Sequence, residues 1–157
     1  CPQPVTANFA PYLLERAQIY MNNDQARNAM LDYDAYYKAV NGQVNDLFYY
    51  YREQAALKAR QYQRALDDIV KAVELSPKDL TYRAEHAVVN LRVGRYEESM
   101  KILNEILKDE PKYGEAYRLL GLCQIQLKKT DEACGNFNKA KELGDPNVDE
   151  LIKKYCK

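Results

Sequence analysis

The sequence lacks most of the residues that mark a catalytic or metal-binding site. It has no tryptophan and one histidine, His86, among 157 residues. It contains no glycine-rich phosphate loop, no H-E-x-x-H helix and no nucleophile elbow, and its four cysteines show no C-x-x-C spacing. A single histidine in a helical stretch is usually packed or hydrogen-bonded. We therefore predict a protein that is not an enzyme, with no cofactor, no metal site and no small-molecule substrate.

An excess of charge of one sign is also lacking. Lys and Arg total 23, as do Asp and Glu, and the two signs are interleaved along the chain. Because no basic face is available to attract phosphates, we predict no nucleic-acid partner. No apolar run approaches the roughly 18 residues of a membrane helix, and the residues after Cys1 do not resemble a secretory signal. We expect membrane attachment only if Cys1 is lipidated.

The feature that is present throughout is a helical period. Apolar residues recur three and four positions apart, as in Ala65 and Ile69, which predicts amphipathic helices. No convincing stretch alternates as a strand would. Prolines are few and close successive helical stretches, at Pro77, Pro111 and Pro146. The regular spacing of these prolines predicts repeated units of one fold.

A repeat length of about 34 residues fits the spacing of these prolines. It divides the chain into repeats 1 to 4, at residues 10–43, 46–79, 80–113 and 114–147. Small side chains recur at the twentieth place of the repeats, Ala29, Ala65, Ser99 and Ala133. Bulky side chains recur at the twenty-fourth place, Tyr33, Ile69, Leu103 and Phe137. We predict that residues 1–9 are an N-terminal extension or an arbitrary edge, and that residues 148–157 form a capping helix.

This small and large code resembles the tetratricopeptide repeat, and the match is strongest in repeat 4. There the family pattern falls on Tyr117, Leu120, Gly121, Ala133, Phe137, Ala140 and Pro146. The resemblance implies an all-α fold, a right-handed superhelix of antiparallel helix pairs A and B with a C-terminal capping helix. The compactness of the array suggests a bacterial source.

Two features depart from the family pattern. The seventh place, usually Leu, holds Arg16 and Arg52 in repeats 1 and 2, and only these repeats carry Asp at the twenty-third place, Asp32 and Asp68. We predict two structural ion pairs, Arg16 with Asp32 and Arg52 with Asp68, because buried charges usually occur in pairs. The second departure is Glu53, at a place that normally needs a small residue, where a local widening of repeat 2 is the simplest expectation.

The cysteines leave two alternatives open. Cys134 on the last helix B and Cys156 on the capping helix either form a disulfide, which requires an oxidising compartment, or are two packed thiols. Cys123 is expected to be a buried thiol. Cys1 would suit a processed lipoprotein, although an arbitrary chain edge explains it equally well. A disulfide and a lipidated Cys1 would both fit a periplasmic or cell-envelope location, which we expect, and a cytoplasmic location is the alternative.

The resemblance also implies a function, which is to hold a peptide or a protein partner in a concave groove lined by the helices A. The predicted partner-binding residues are Tyr50, Gln54, Lys58, Val88, Arg92 and Arg118. In the stretch FYYYR, one alternative is that Tyr50 faces the groove. The other is that Tyr49 is in the core, Tyr51 packs between helices and Tyr50 is merely exposed. Some family members clamp an acidic C-terminal tail with Lys and Asn. Here the corresponding places hold Leu14, Gln18, Tyr51, Thr81 and Glu85, so no such tail is implied.

An alternative function is a structural subunit that self-associates, for instance as a homodimer, through the irregular repeat 1. On that interpretation we expect Tyr33, Tyr36 and Tyr37 to stay partly uncovered. A specific heterologous partner would favour the interaction module, whereas a concentration-dependent dimer without a partner would favour assembly.

Overall fold

The structure is a computed structural model that describes residues 9–157, and Cys1 lies outside this range. These residues form helices joined by short turns, without a strand in this part of the chain. The all-α fold that the sequence predicts is confirmed. The chain divides into two compact units, an N-terminal unit that ends at Pro77 and a C-terminal unit that begins at Lys78.

The N-terminal unit contains two helix pairs. Their bounds are α1 at Ala10–Asn22, α2 at Ala26–Ala39, α3 at Asp46–Lys58 and α4 at Tyr62–Leu75. Pro11 lies in the first turn of α1, where its missing N–H costs no helical hydrogen bond. Asn45 caps α3 by accepting a hydrogen bond from the backbone N–H of Phe48. Helices α1 and α3 are therefore helices A, and α2 and α4 are helices B.

The C-terminal unit contains two further pairs and a short final helix. Their bounds are α5 at Leu80–Arg92, α6 at Tyr96–Asp109, α7 at Gly114–Gln126, α8 at Thr130–Glu142 and α9 at Asp149–Tyr155. The turn between α5 and α6 uses Gly94 at φ +82°, a conformation that glycine adopts without steric cost. The equivalent turn between α7 and α8 has Lys128 at φ +61° instead.

Small residues allow the paired helices to approach closely. Ala65, Ser99 and Ala133 are fully buried, and the Ser99 hydroxyl donates a 2.7 Å hydrogen bond to the carbonyl of Ala87 on the facing helix. At Gly121 a Cβ atom would lie 2.6 Å from Cδ1 of the Phe137 ring. The ring of the bulky residue thus occupies the space that the glycine leaves free.

The final helix covers the end of the C-terminal unit. Leu151, Ile152 and Tyr155 pack against a buried cluster that contains Phe137 and Val148. The Tyr155 ring stacks on Phe137 with the centroids 6.4 Å apart. Helix α9 is thus a short amphipathic element that shields the apolar end of the repeat array.

Candidate functional site

Two helices A of the C-terminal unit enclose a groove. Helices α5 and α7 line a cavity of about 650 Å³, to which α5 contributes Val88 and Arg92 and α7 contributes Arg118. The apolar part of the wall includes Leu91, Leu119 and Leu122, and Glu85 and Glu115 add carboxylates. Three of the six sequence-predicted groove residues therefore lie around one cavity.

The two arginines of this groove differ in their ion pairs and in their exposure. Arg118 is held on both sides, with Nη2 2.9 Å from Oε1 of Glu115 and Nε 3.0 Å from Oδ2 of Asp145. Its side chain is only 15% exposed. Arg92 is exposed, and no ion pair to it is found within the described residues. Arg92 is therefore the cation that a ligand could reach, whereas Arg118 shapes the wall.

A hydrogen bond fixes Glu115 at one edge of the groove. The Tyr113 hydroxyl donates to Oε2 of Glu115 over 2.6 Å. Burial raises the pKa of Tyr113, and the hydrogen bond to the carboxylate raises it further. The phenol therefore keeps its proton at neutral pH and remains a donor.

The other three predicted groove residues lie on α3 in the N-terminal unit. Tyr50 is half-buried, with its ring centroid 5.7 Å from that of Tyr51. The Gln54 amide donates a 2.7 Å hydrogen bond to Oε2 of Glu53, and Nζ of Lys58 lies 3.6 Å from a carboxylate oxygen of Asp24. The side chain of Lys58 is 55% exposed, so it remains accessible to a ligand.

The N-terminal unit has a second cavity, of about 660 Å³, that the sequence did not single out as a whole. The apolar and aromatic part of its wall includes Leu14, Tyr36, Val44, Leu47, Phe48 and Tyr51. Gln18, Gln43 and Asn45 add amide groups. Tyr51 is 42% exposed, so the alternative in which it packs between helices is wrong. The periodicity could not locate this cavity, because part of its wall comes from the irregular segment between α2 and α3.

Of the three tyrosines of α2, only one departs from the expectation that they stay partly uncovered. Tyr33 is only 3% exposed, so the expectation that it stays uncovered is wrong. It meets the Phe48 ring edge-on at 5.8 Å, and burial raises its pKa to about 12. Tyr36 and Tyr37 are half-buried, so they stay partly uncovered as expected, although both stack on the same ring. The aromatic side of α2 is thus only partly covered by α3.

Two arginine–aspartate pairs bridge helices A and B. Arg16 donates to both carboxylate oxygens of Asp32, each over 2.7 Å. Arg52 does the same with Asp68 over 2.8 and 2.7 Å. The exposed fraction of the Arg52 side chain is 13%, against 39% for Arg16.

The second pair belongs to a larger network. Asp34 on α2 lies 3.4 Å from Nη1 of Arg52 and 2.5 Å from Nη2 of Arg64 on α4. The charge of Asp68 and the hydrogen bonds that it accepts raise the pKa of Arg52 above its usual value, although burial opposes this. The guanidinium is therefore permanently charged and joins three helices of the N-terminal unit.

Glu53, the second departure from the family pattern, is fully buried. The Gln54 amide donates to one of its oxygens. The local widening of repeat 2 that we expected from it stays a prediction.

The cysteines of residues 9–157 and His86 lie in packed or disulfide-bonded positions. Cys134 and Cys156 form a disulfide with Cα atoms 5.6 Å apart, which ties α8 to the end of α9. Cys123 is a buried free thiol whose pKa is raised by burial. His86 is half-buried, and burial lowers its pKa.

Within residues 9–157 no cluster of potential metal ligands is found, and no helix is long and apolar enough to cross a membrane.

Comparison with known families decides the class of the chain. Residues 22–106, more than half of the chain, match a family model described as "Anaphase-promoting complex, cyclosome, subunit 3". Residues 84–148 match a model described as "Tetratricopeptide repeat", and both models are of that repeat type. The chain belongs to the tetratricopeptide-repeat family. Such folds are in general non-catalytic interaction modules, and the bacterial source stays a prediction.

One curated relative is a tetratricopeptide-repeat protein of a fungus. The "Small glutamine-rich tetratricopeptide repeat-containing protein 2" of Mycosarcoma maydis is 29% identical over 99 residues, which cover 63% of this chain and 28% of that protein. The chain thus spans little more than a quarter of the length of this relative.

Solved structures show the same fold at low identity. The tetratricopeptide-repeat protein YrrB, described as having an unusual peptide-binding site, has a TM-score of 0.79 and 19% identity, covering 92% of this chain and 74% of that one. The first tetratricopeptide-repeat domain of Spaghetti (RPAP3), bound to the HSP90 peptide SRMEEVD, has a TM-score of 0.63 and 19% identity. The match covers 71% of this chain and 90% of that one.

Proposed function

We propose that this tetratricopeptide-repeat chain binds an extended peptide, or an extended segment of a partner protein, on the faces formed by its helices A. The proposed contacts in the C-terminal unit are Val88, Arg92 and Arg118. Those in the N-terminal unit are Tyr50, Gln54 and Lys58.

The observation that carries this proposal is the groove between α5 and α7. It combines an apolar wall with an exposed arginine and fixed carboxylates, which suits a peptide whose side chains enter apolar sites while its backbone bonds to polar groups. Two structural neighbours support a peptide as ligand, since one is described with a peptide-binding site and the other with a bound HSP90 peptide.

The charges argue against an acidic tail as the ligand. Around Arg92 and Arg118 lie three carboxylates, those of Glu85, Glu115 and Asp145. Two of these carboxylates already hold Arg118, so little positive charge remains for an acidic peptide. We therefore propose an uncharged segment with apolar side chains, whose backbone carbonyls Arg92 can bind.

The test is a selection of displayed random peptides on the immobilised wild-type protein, followed by titration of the selected peptides. We expect Val88→Ser and Arg92→Ala each to weaken binding about tenfold, a typical loss of 1–2 kcal/mol for one interface side chain. Lys101→Ala is the matched control, because Lys101 is an exposed cation on α6 that does not line the groove. Equal binding of all three variants would refute the groove as the site.

Self-association through repeat 1 is the alternative function, and the burial of Tyr33 removes part of its basis. Sedimentation equilibrium distinguishes the two. A chain that stays monomeric while binding peptides supports the proposal, and a dimer that forms without binding peptides supports the alternative.

A further inference from the structure

Three side chains of α1 form an exposed face that is distinct from both cavities. Tyr12, Arg16 and Ile19 are three to seven positions apart and so project from one side of the helix. Tyr12 and Ile19 are each 57% exposed, and the Arg16 side chain is 39% exposed. We call these three residues the α1 face.

The same positions are covered in the next helix A. Phe48, Arg52 and Ala55 stand on α3 where Tyr12, Arg16 and Ile19 stand on α1, and the exposed fractions of Phe48 and Ala55 are 6% and 0%. At Phe48 and Arg52, the occupant of this face on α3 is the preceding helix α2 of the same unit.

The occupant meets α3 with one acid and one aromatic ring. Asp34 of α2 lies 3.4 Å from Nη1 of Arg52. Three residues later, the ring of Tyr37 lies 4.9 Å from the guanidinium carbon of Arg52 and stacks at 6.0 Å on Phe48. An acidic residue followed at the third position by an aromatic residue thus matches the arginine and the ring of the receiving helix.

On α1, no helix formed by residues 9–157 packs on the α1 face in the way that α2 packs on α3. Arg16 binds Asp32 through Nε and Nη2, as Arg52 binds Asp68. No second acid reaches its guanidinium within residues 9–157, and the rings over it, Tyr12 at 5.4 Å and Tyr20 at 5.9 Å, belong to its own helix. Among the residues that the structure describes, none covers Nη1 or the adjoining apolar surface of Tyr12 and Ile19.

We propose that the α1 face docks an amphipathic helix of a partner protein that carries an acidic residue three positions before an aromatic residue, in the way that α2 docks on α3. A second copy of the chain does not offer its α2 for this purpose, because Asp34 and Tyr37 are already engaged with Arg52. The proposal does not rest on the groove, since the α1 face is a different surface.

The probe for this face is a synthetic helix with the sequence of residues 26–39, which contains Asp34 and Tyr37. Arg27 and Leu31, both exposed on α2, are replaced by a side-chain cross-link that keeps the short peptide helical. Its binding to the whole chain is titrated by fluorescence anisotropy. We expect Ile19→Ser in the protein to weaken binding at least tenfold, and Asp34→Asn in the probe to weaken it about fivefold.

The control variant is Leu31→Ser in the protein, because Leu31 is a 68% exposed apolar residue of α2 that does not belong to the α1 face. It should bind the probe like the wild type. Three results would overturn the proposal. One is no binding of the probe. The second is binding that Ile19→Ser leaves intact, which would place the probe on α3 after displacement of α2. The third is a dimer, seen by sedimentation without the probe and lost in Ile19→Ser, which would make a second copy the occupant.

Discussion

Removal of the Arg52 guanidinium should destabilise the N-terminal unit far more than removal of a surface charge. Arg52→Ala deletes both hydrogen bonds to Asp68, the contact with Asp34 and the stacking on Tyr37. It leaves Asp68, whose side chain is 6% exposed, as a carboxylate without its cation. Breaking one side of a buried ion pair typically costs about 3–5 kcal/mol, and we expect a loss of unfolding free energy in that range.

The assay is urea unfolding followed by circular dichroism, in which Arg52→Ala is compared with two other variants. Arg16→Ala should lose less, about 1–3 kcal/mol, because the Arg16 side chain is 39% exposed. Lys71→Ala removes an ion pair with Glu74 in which both side chains are more than half exposed, and should leave the unfolding free energy nearly unchanged. An Arg52→Ala loss no larger than that of Lys71→Ala would refute the reasoning.

Three further predictions concern the C-terminal unit. Ala133→Leu should lower the free energy of unfolding in urea by about 1–3 kcal/mol, because it overpacks a fully buried position. Gly135→Ala, whose new Cβ would meet nothing within 4 Å, should raise it by up to about 1 kcal/mol. Unchanged stability of both variants would contradict the packing of α8. Cys134→Ser should lose about 2–4 kcal/mol by opening a link to Cys156 over 22 positions, and a reductant should then have no additional effect. The NMR titration of His86 should have its midpoint below 6.5, because burial disfavours the charged ring and lowers its pKa. As pH falls below 6.5 the unfolded chain takes up this proton first and the folded state loses stability; a midpoint at or above 6.5 would contradict this.

The fold was predictable from sequence because its signals repeat. Small residues such as Ala65 and large ones such as Phe137 recur at fixed places, and each is required by the close approach of two helices. Repetition also exposed the charged exceptions. Arg52 and Asp68 occur together in the same repeats, which is a pattern that a single helix pair could not have shown.

The details of the site were less predictable, because they depend on side-chain directions that periodicity does not determine. Tyr50 and Tyr51 are neighbours in one aromatic stretch, yet Tyr51 is the one that is exposed and lines a cavity. The restraint of Arg118 by Asp145 joins α7 to the turn after α8, a contact for which the sequence has no local signal. The network of Asp34 with Arg52 likewise crosses from one repeat to the next.

The most direct measurement is an amide chemical-shift map of the isotope-labelled chain during titration with a peptide selected on it. Binding in the proposed groove predicts that the largest shifts fall on α5 and α7, at Val88, Arg92 and Arg118, with a smaller set on α3 at Tyr50, Gln54 and Lys58. Lys101 on α6 should not shift. Shifts concentrated on the helices B, or on α1 alone, would contradict binding in the groove between α5 and α7.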